Sequence, residues 1–323
     1  MIFFYVYDRR AEESAFDLND TLSSRLDSAI AFIAEEYEKK KVFETYLCDA
    51  EHSDCSRHKF SLFISAAILN SMLELERNEK LDRILKKETE RVLNCQDEHL
   101  LWDFYCKKNS GETHYYPDLD STALASWLLS SQNAEHHLGE IRELVRKTQF
   151  YNGALLTFLR DFQPPPHAMN RDPVANANAL LLLSEEIPSV CEYINKNYDK
   201  SIYYTDDVVV FYMLSKAYDR GVKCVKPALN ELYTRIERSD LLSADDSPMH
   251  LAMFVTAALK SGDIIDRNVL DQAVKRLLKN RRELPFQEYF FRTGLNRDLD
   301  FYYSPAFSAA VYAEALTNIK SRL

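Results

Sequence analysis

Two aspartates stand one residue apart in HYYPDLDSTALASWLL, residues 114–129: Asp118 and Asp120, directly ahead of an apolar run. A carboxylate placed there has two uses. It can cap a helix by accepting the backbone N–H groups that the first turn leaves unpartnered. It can instead be a buried acid, because desolvation raises a carboxyl pKa and a neighbouring carboxylate raises one member of the pair further. Asp120, followed by Ser121, Thr122 and Ala123, would then lie where the helix N-terminus steadies the charge left after proton transfer. Asp118 would be its partner, through a hydrogen bond or a shared proton.

Similar turns recur along the chain: HSDCSRHK, MNRDP, YYTDD, SADDSP and RDLDFYYSP. Each precedes a run that is apolar or small nearly all round, such as FSLFISAAILNSML, VANANALLLL, VVVFYMLSKAY, MHLAMFVTAAL and PAFSAAVYAEAL. A helix with no polar face must be covered on every side. Between these runs lie amphipathic segments, for example Leu22, Leu26, Ala29, Ile30, Ile33 and Tyr37 on one stripe, with Arg25, Asp27, Glu35 and Glu36 off it. Six wet helices alternating with six dry ones predict an all-α fold, a single α/α toroid with six inner and six outer helices. The break QPPPHAMNRDP, residues 163–173, separates two repeats, so residues 1–323 read as one domain. If the inner helices run parallel, their Asp-rich starts gather at one rim.

The formal charge of −10 argues against a general nucleic-acid surface. Cysteines at 48, 55, 95, 106, 191 and 224 form no CxxC pair, and MIFFYVYDRR has the wrong order and length for an export signal. Reduced thiols in a cytoplasmic protein are the expectation. No apolar run approaches the roughly 20 residues that a bilayer requires, although peripheral membrane contact stays open.

The segment DLDSTALASWLL resembles the acid motif of class II terpene cyclases, the squalene-hopene and oxidosqualene cyclase group. There the middle carboxylate of Asp-any-Asp-Asp-Thr protonates an alkene or epoxide. On that resemblance Asp118 is the first Asp, Asp120 the proton donor and Thr122 the threonine, while Ser121 replaces the third Asp. The length, together with DPVANANALLLL and YYTDDVVVFYMLSKAY, is most similar to the single-domain cyclases that make meroterpenoids. The resemblance implies a toroid that cyclises a linear polyprenyl chain carrying a polar or aromatic head group. It requires no redox cofactor, and Mg²⁺ only where the substrate carries a diphosphate.

A carbocation needs a dry wall of aromatic faces. Tyr115, Tyr116 and Trp127 flank the acid, and Tyr204, Phe211, Tyr212, Phe301, Tyr302, Tyr303 and Phe307 lie near other inner-helix starts. Any one of them taken alone reads first as core packing, whereas the set, carried on the inward helices, reads as the lining of a cavity. Asn176 and Asn178 interrupt an apolar run, and buried amides need partners: a neighbouring Asp, a water that ends the reaction, or a structural bond. Asp172 is a cap or a second carboxylate near the acid. Asp206, Asp207, Asp245 and Asp246 read as caps, with Asp206 and Asp207 the alternative Mg²⁺ holders. Arg57, Lys59, Arg171, Arg292 and Arg297 could meet an anion. Cys48, His52, Cys55 and His58 are within reach of a zinc site, at a spacing unlike a familiar finger.

Two other functions fit the same toroid. A glycoside hydrolase or lyase would also set carboxylates across an aromatic-lined cleft. A non-catalytic lipid- or protein-binding toroid would show a wide or filled centre.

Overall fold

A computed structural model of the chain describes residues 9–49, 55–58, 60–106, 116–134, 137–147, 150–159, 170–239, 247–280, 282–292 and 301–322. The dry segments form helices α2 (Leu62–Met72), α4 (Leu119–Ser131), α6 (Pro173–Leu183), α8 (Asp207–Asp219), α10 (Pro248–Ser261) and α12 (Pro305–Lys320). The wet ones form α1 (Arg9–Lys40), α3 (Glu79–Asn94), α5 (Leu138–Lys147), α7 (Pro188–Asn197), α9 (Lys226–Arg238) and α11 (Arg267–Lys279). Each even-numbered helix packs on the next, and α12 returns to α2, so six inner helices close a ring. The outer helices turn one stripe inward: Leu81, Ile84, Leu85 and Val92 of α3 are buried. Every residue of α2 and α6 is buried, as a helix with neighbours on all sides must be. The toroid expected from the alternation of wet and dry segments is therefore present.

An outer helix returns the chain between successive inner helices, so the inner helices start at a common rim, and their caps there are chemically alike. Asp118 accepts from Ser121 N at 2.7 Å, Asp172 from Val174 N at 2.8 Å and Asp206 from Val208 N at 2.9 Å. Ser61, Ser247 and Ser304 cap α2, α10 and α12. Proline at the first or second position starts α6, α10 and α12 without losing a bond. The opposite end is tied by ion pairs: Arg220 and Lys260 both meet Glu74, at 3.3 and 3.4 Å.

Two small sheets accompany the helices, and neither was evident from the apolar patterning. Strands β1 (Thr45–Cys48), β2 (Cys55–His58), β5 (Phe291–Arg292) and β6 (Phe301–Tyr303) form one antiparallel sheet in the order β2-β1-β6-β5. Strands β3 (Phe150–Tyr151) and β4 (Ala154–Leu155) form a hairpin. The first sheet joins the segment before α2 to the segment before α12.

The cysteines overturn the expectation of reduced thiols. Cys48–Cys55, Cys95–Cys106 and Cys191–Cys224 are disulfides. The Cys48–Cys55 bond also removes both thiolates from the zinc set, and His52 lies outside the described residues. Spacing gave no warning, since partners 7, 11 and 33 residues apart share no motif. Among the described residues no helix is long and apolar enough to cross a membrane.

Candidate active site at the rim of the inner helices

Asp120 lies in the first turn of α4, 5% exposed. Its two oxygens meet two different repeats. Asn178 Nδ2 in α6 donates to Oδ1 at 2.7 Å, and the Tyr204 phenol, just before α8, donates to Oδ2 at 2.5 Å. Burial raises the Asp120 carboxyl pKa, the two hydrogen bonds lower it and Asp172 raises it again, with the result pushed up to about 7. For Asp118 burial dominates, the bond from Ser121 opposes it, and Asp120 and Asp103 add to it, giving about 8. Both carboxyls thus exchange protons near neutrality, the property required of an acid that works there. Tyr204 is pushed well above the ordinary tyrosine range, by burial first and then by Asp120, so its phenol stays a donor.

Asp172 is fully buried and is consumed by structure. Its Oδ1 caps α6, and its Oδ2 accepts from Ser201 Oγ at 2.7 Å and Ile202 N at 2.9 Å. Asn176 bonds the backbone of Leu155 on both sides, at 2.8 and 3.0 Å, and so fastens β4 to α6. Thr122 exchanges hydrogen bonds with the Trp102 backbone at 3.2 Å. These three candidates hold the rim together and make no bond to the Asp120 carboxyl. Asp206 caps α8 and faces His250 Nε2 at 3.1 Å, whereas Asp207 turns outward to Arg235 at 2.8 Å. Asp245 and Asp246 lie outside the described residues.

The aromatic candidates scatter. Trp127 stands seven residues beyond Asp120, about 10 Å along α4, beneath the Arg220 guanidinium at 4.5 Å. Tyr116 is 40% exposed, and Tyr115 lies outside the described residues. Phe211, Tyr212 and Phe307 are packed in the ring, with Phe307 stacked on Phe290 at 3.8 Å. Tyr302 joins a cluster with Phe104 and Phe291, while Tyr303 packs on Tyr46 and Phe301 on Tyr289. Tyr204, expected in the cavity wall, instead donates to the Asp120 carboxyl.

Among the described residues, a polar cluster crosses the ring axis. Lys216 Nζ meets Glu314 Oε2 at 3.0 Å, the Tyr212 phenol donates to the same carboxylate at 2.6 Å, and Ser71 joins at 3.1 Å. The void lined by Asn70, Asn178, Tyr212 and Lys216 measures about 20 Å³, room for about one water. A carbocation would meet the Lys216 ammonium there, which opposes it.

No protein-family model and no curated protein matches this chain. Among solved structures, the chain is similar to the crystal structure of an unsaturated glucuronyl hydrolase specific for heparin. The TM-score is 0.54 at 12% identity, over 94% of this chain and 98% of that one. At that identity the likeness speaks for the fold alone. The chain thus shares its α/α toroid with that hydrolase. The class II cyclase resemblance is corrected accordingly, and with it the isomerase activity and the polyprenyl substrate: the solved structure that the chain is similar to is a hydrolase, not a terpene cyclase. The Asp-Leu-Asp-Ser-Thr segment is a cap-and-acid arrangement that a short motif cannot distinguish from the cyclase acid.

Proposed function

We propose that the chain is a glycoside hydrolase whose proton donor is Asp120. The observation that carries the reading is a carboxyl poised near pH 7 at the first turn of an inner helix, in a toroid similar to a glucuronyl hydrolase. Protonated Asp120 would give its proton to the glycosidic oxygen or to the enol ether of an unsaturated uronyl group. On the first route the glycosidic C–O bond breaks and the alcohol leaves as water adds to the sugar carbon. On the second, water adds to the oxygen-bearing carbon of the protonated enol ether, returns its proton to the carboxylate, and the hemiketal formed opens to release the alcohol. Asn178 and Tyr204 favour the anion formed when the proton leaves. The three disulfides favour an oxidising compartment for this chemistry over the cytoplasm.

The test is incubation with heparin, with other uronate polymers and with the unsaturated disaccharides derived from them, each beside Asp120→Asn. Loss of the unsaturated group's ultraviolet absorbance, abolished in the variant, is the expected result. Gain of that absorbance from an intact polymer would assign a lyase instead, with ionised Asp120 as the base. A second reading, a toroid that binds glycans without cleaving them, draws on the polar cluster that crosses the axis and on the protein donors at both Asp120 oxygens. Binding by calorimetry without turnover, equal in wild type and Asp120→Asn, would select it.

A further inference from the structure

The turn 201–204 carries the phenol that meets Asp120, and it is gripped from two sides. On the amide side, the buried Asp172 carboxylate accepts from Ser201 Oγ and Ile202 N, and Ser201 Oγ in turn accepts from Tyr204 N at 3.1 Å. On the carbonyl side stands Arg292. Its Nε donates to Ile202 O at 2.8 Å, its Nη2 to Ser201 O at 3.1 Å, and its backbone N–H to Tyr203 O at 2.8 Å. The guanidinium fork is used for carbonyls of a turn, not for a carboxylate. A planar group with two donors locks two peptide planes at once, which the single point of a lysine ammonium cannot do.

The segment bearing Arg292 is itself anchored. Glu288 accepts from Met249 N at 2.9 Å and from Ser247 Oγ at the start of α10. Phe290 stacks on Phe307, and the Phe291 ring lies edge-on to Tyr204 at 5.6 Å. The phenol therefore has little freedom to leave Asp120 Oδ2 while Arg292 holds the turn.

We infer that Arg292 and Asp172 are positioning residues for the Asp120 acid, acting through the turn 201–204 and the phenol of Tyr204. The inference rests on the proposed role of Asp120, but the geometry it describes can be read without any substrate. Held in place, the phenol stabilises the carboxylate form. Once the turn is loosened, that bond is lost for part of the time and the carboxyl keeps its proton to a higher pH. In the working enzyme the same change would carry the alkaline limb of the kcat/KM profile upward.

The experiment is a pH titration of the Asp120 carboxyl by difference infrared spectroscopy, with the band assigned by its loss in Asp120→Asn. Tyr204→Phe is expected to raise the midpoint by about one pH unit or more, the worth of one hydrogen bond to a charged group. Arg292→Gln should move it in the same direction by less, and Arg292→Lys by less again. In the Tyr204→Phe background, Arg292→Gln should add nothing, because the route through the phenol is already gone. Ser201→Ala removes a single hydroxyl from the same grip and serves where an Arg292 variant fails to fold. The inference is overturned if Tyr204→Phe moves the midpoint while Arg292→Gln and Ser201→Ala leave it at the wild-type value. It is equally overturned if Arg292→Gln moves the midpoint as far without the phenol as with it. A titration that behaves as expected in a protein that cleaves no glycan would sink the hydrolase reading and leave the positioning intact. Asp120-dependent turnover with an unmoved midpoint would do the reverse.

Discussion

The same inner helices carry two buried polar clusters, one at their starts and one on the ring axis, and the two are built on opposite electrostatic terms. On the axis, Lys216 faces Glu314 at 3.0 Å, so each charge has its counter-charge within bonding distance. Burial lowers the Lys216 pKa, Glu314 raises it, and Arg220 and Lys260 lower it again, to about 8. At the rim, burial, hydrogen bonds and other carboxyls act on Asp118 and Asp120, and no cation is among the leading influences on either. A buried ion pair trades desolvation against attraction and fixes geometry. A buried carboxyl without a cation keeps its proton and can hand it on. Burial thus leaves an ion pair in one place and carboxyls with raised pKa values in the other, and the presence of a cation is what separates them.

The sharpest way to break this comparison is Asp120→Asn. If the rim is the acid, activity should fall by about 10²–10⁴-fold, the range for a lost general acid, with the thermal midpoint little changed. A variant that retains full activity would reduce the rim to capping. The axis predicts the converse. Lys216→Met should cost about 3–5 kcal/mol in denaturant unfolding, because it strands the Glu314 carboxylate. Lys216→Met combined with Glu314→Leu should recover a large part of that loss. A double variant as unstable as the single one would mean that the pair does not brace the axis.

A smaller effect separates the two clusters by pH. The folded pKa of Asp118 is raised, so the native state binds a proton that the unfolded chain has released. Its contribution to stability is full below the unfolded value near 4 and is lost as pH rises toward about 8. Asp118→Asn keeps an acceptor for Ser121 N without the charge. The difference in thermal midpoint between the variant and wild type should therefore move in the variant's favour between about pH 4 and 8, then level off. A pH-independent difference would contradict the raised pKa. The smallest expected effect is that of Trp127→Leu, at the far end of α4, which should leave kcat/KM unchanged while lowering the thermal midpoint. A loss of activity there would extend the site along the axis.

The ring was legible in the sequence because its cause is local. A segment such as VANANALLLL has no face for water, and a capping Asp or Ser before it marks where it starts. The parallel gathering of those starts followed from the same reasoning. Asp118 and Asp120 stood out for their spacing, and the Asn176–Asn178 pair for its place in an apolar run. What the sequence could not show was pairing across the fold. Lys216 and Glu314 sit 98 residues apart in stretches that read as apolar, and no local pattern brings them to one axis. The abundance of Tyr and Phe suggested a cavity wall, yet Phe104, Phe291 and Tyr302 pack on one another. Composition counts rings without saying what they face. The cysteines were misread for the same reason, since their pairing depends on which turns meet.

One helix belongs to both clusters. Tyr204 lies three residues before α8, in the turn that Arg292 and Asp172 hold, and Lys216 lies in the helix's third turn, so only Thr205 and Asp206 separate the gripped turn from the helix that crosses the axis. The helix is pinned to Glu314 of α12, the next inner helix but one, and to Ser71 of α2, which stands opposite it in the ring. A slide of one residue along its own axis, about 1.5 Å, would exceed what a 2.5 Å hydrogen bond can stretch. The charge pair in the lumen and the Arg292 fork therefore moor the two ends of one short stretch of chain, like a hub and a rim fastening the same spoke.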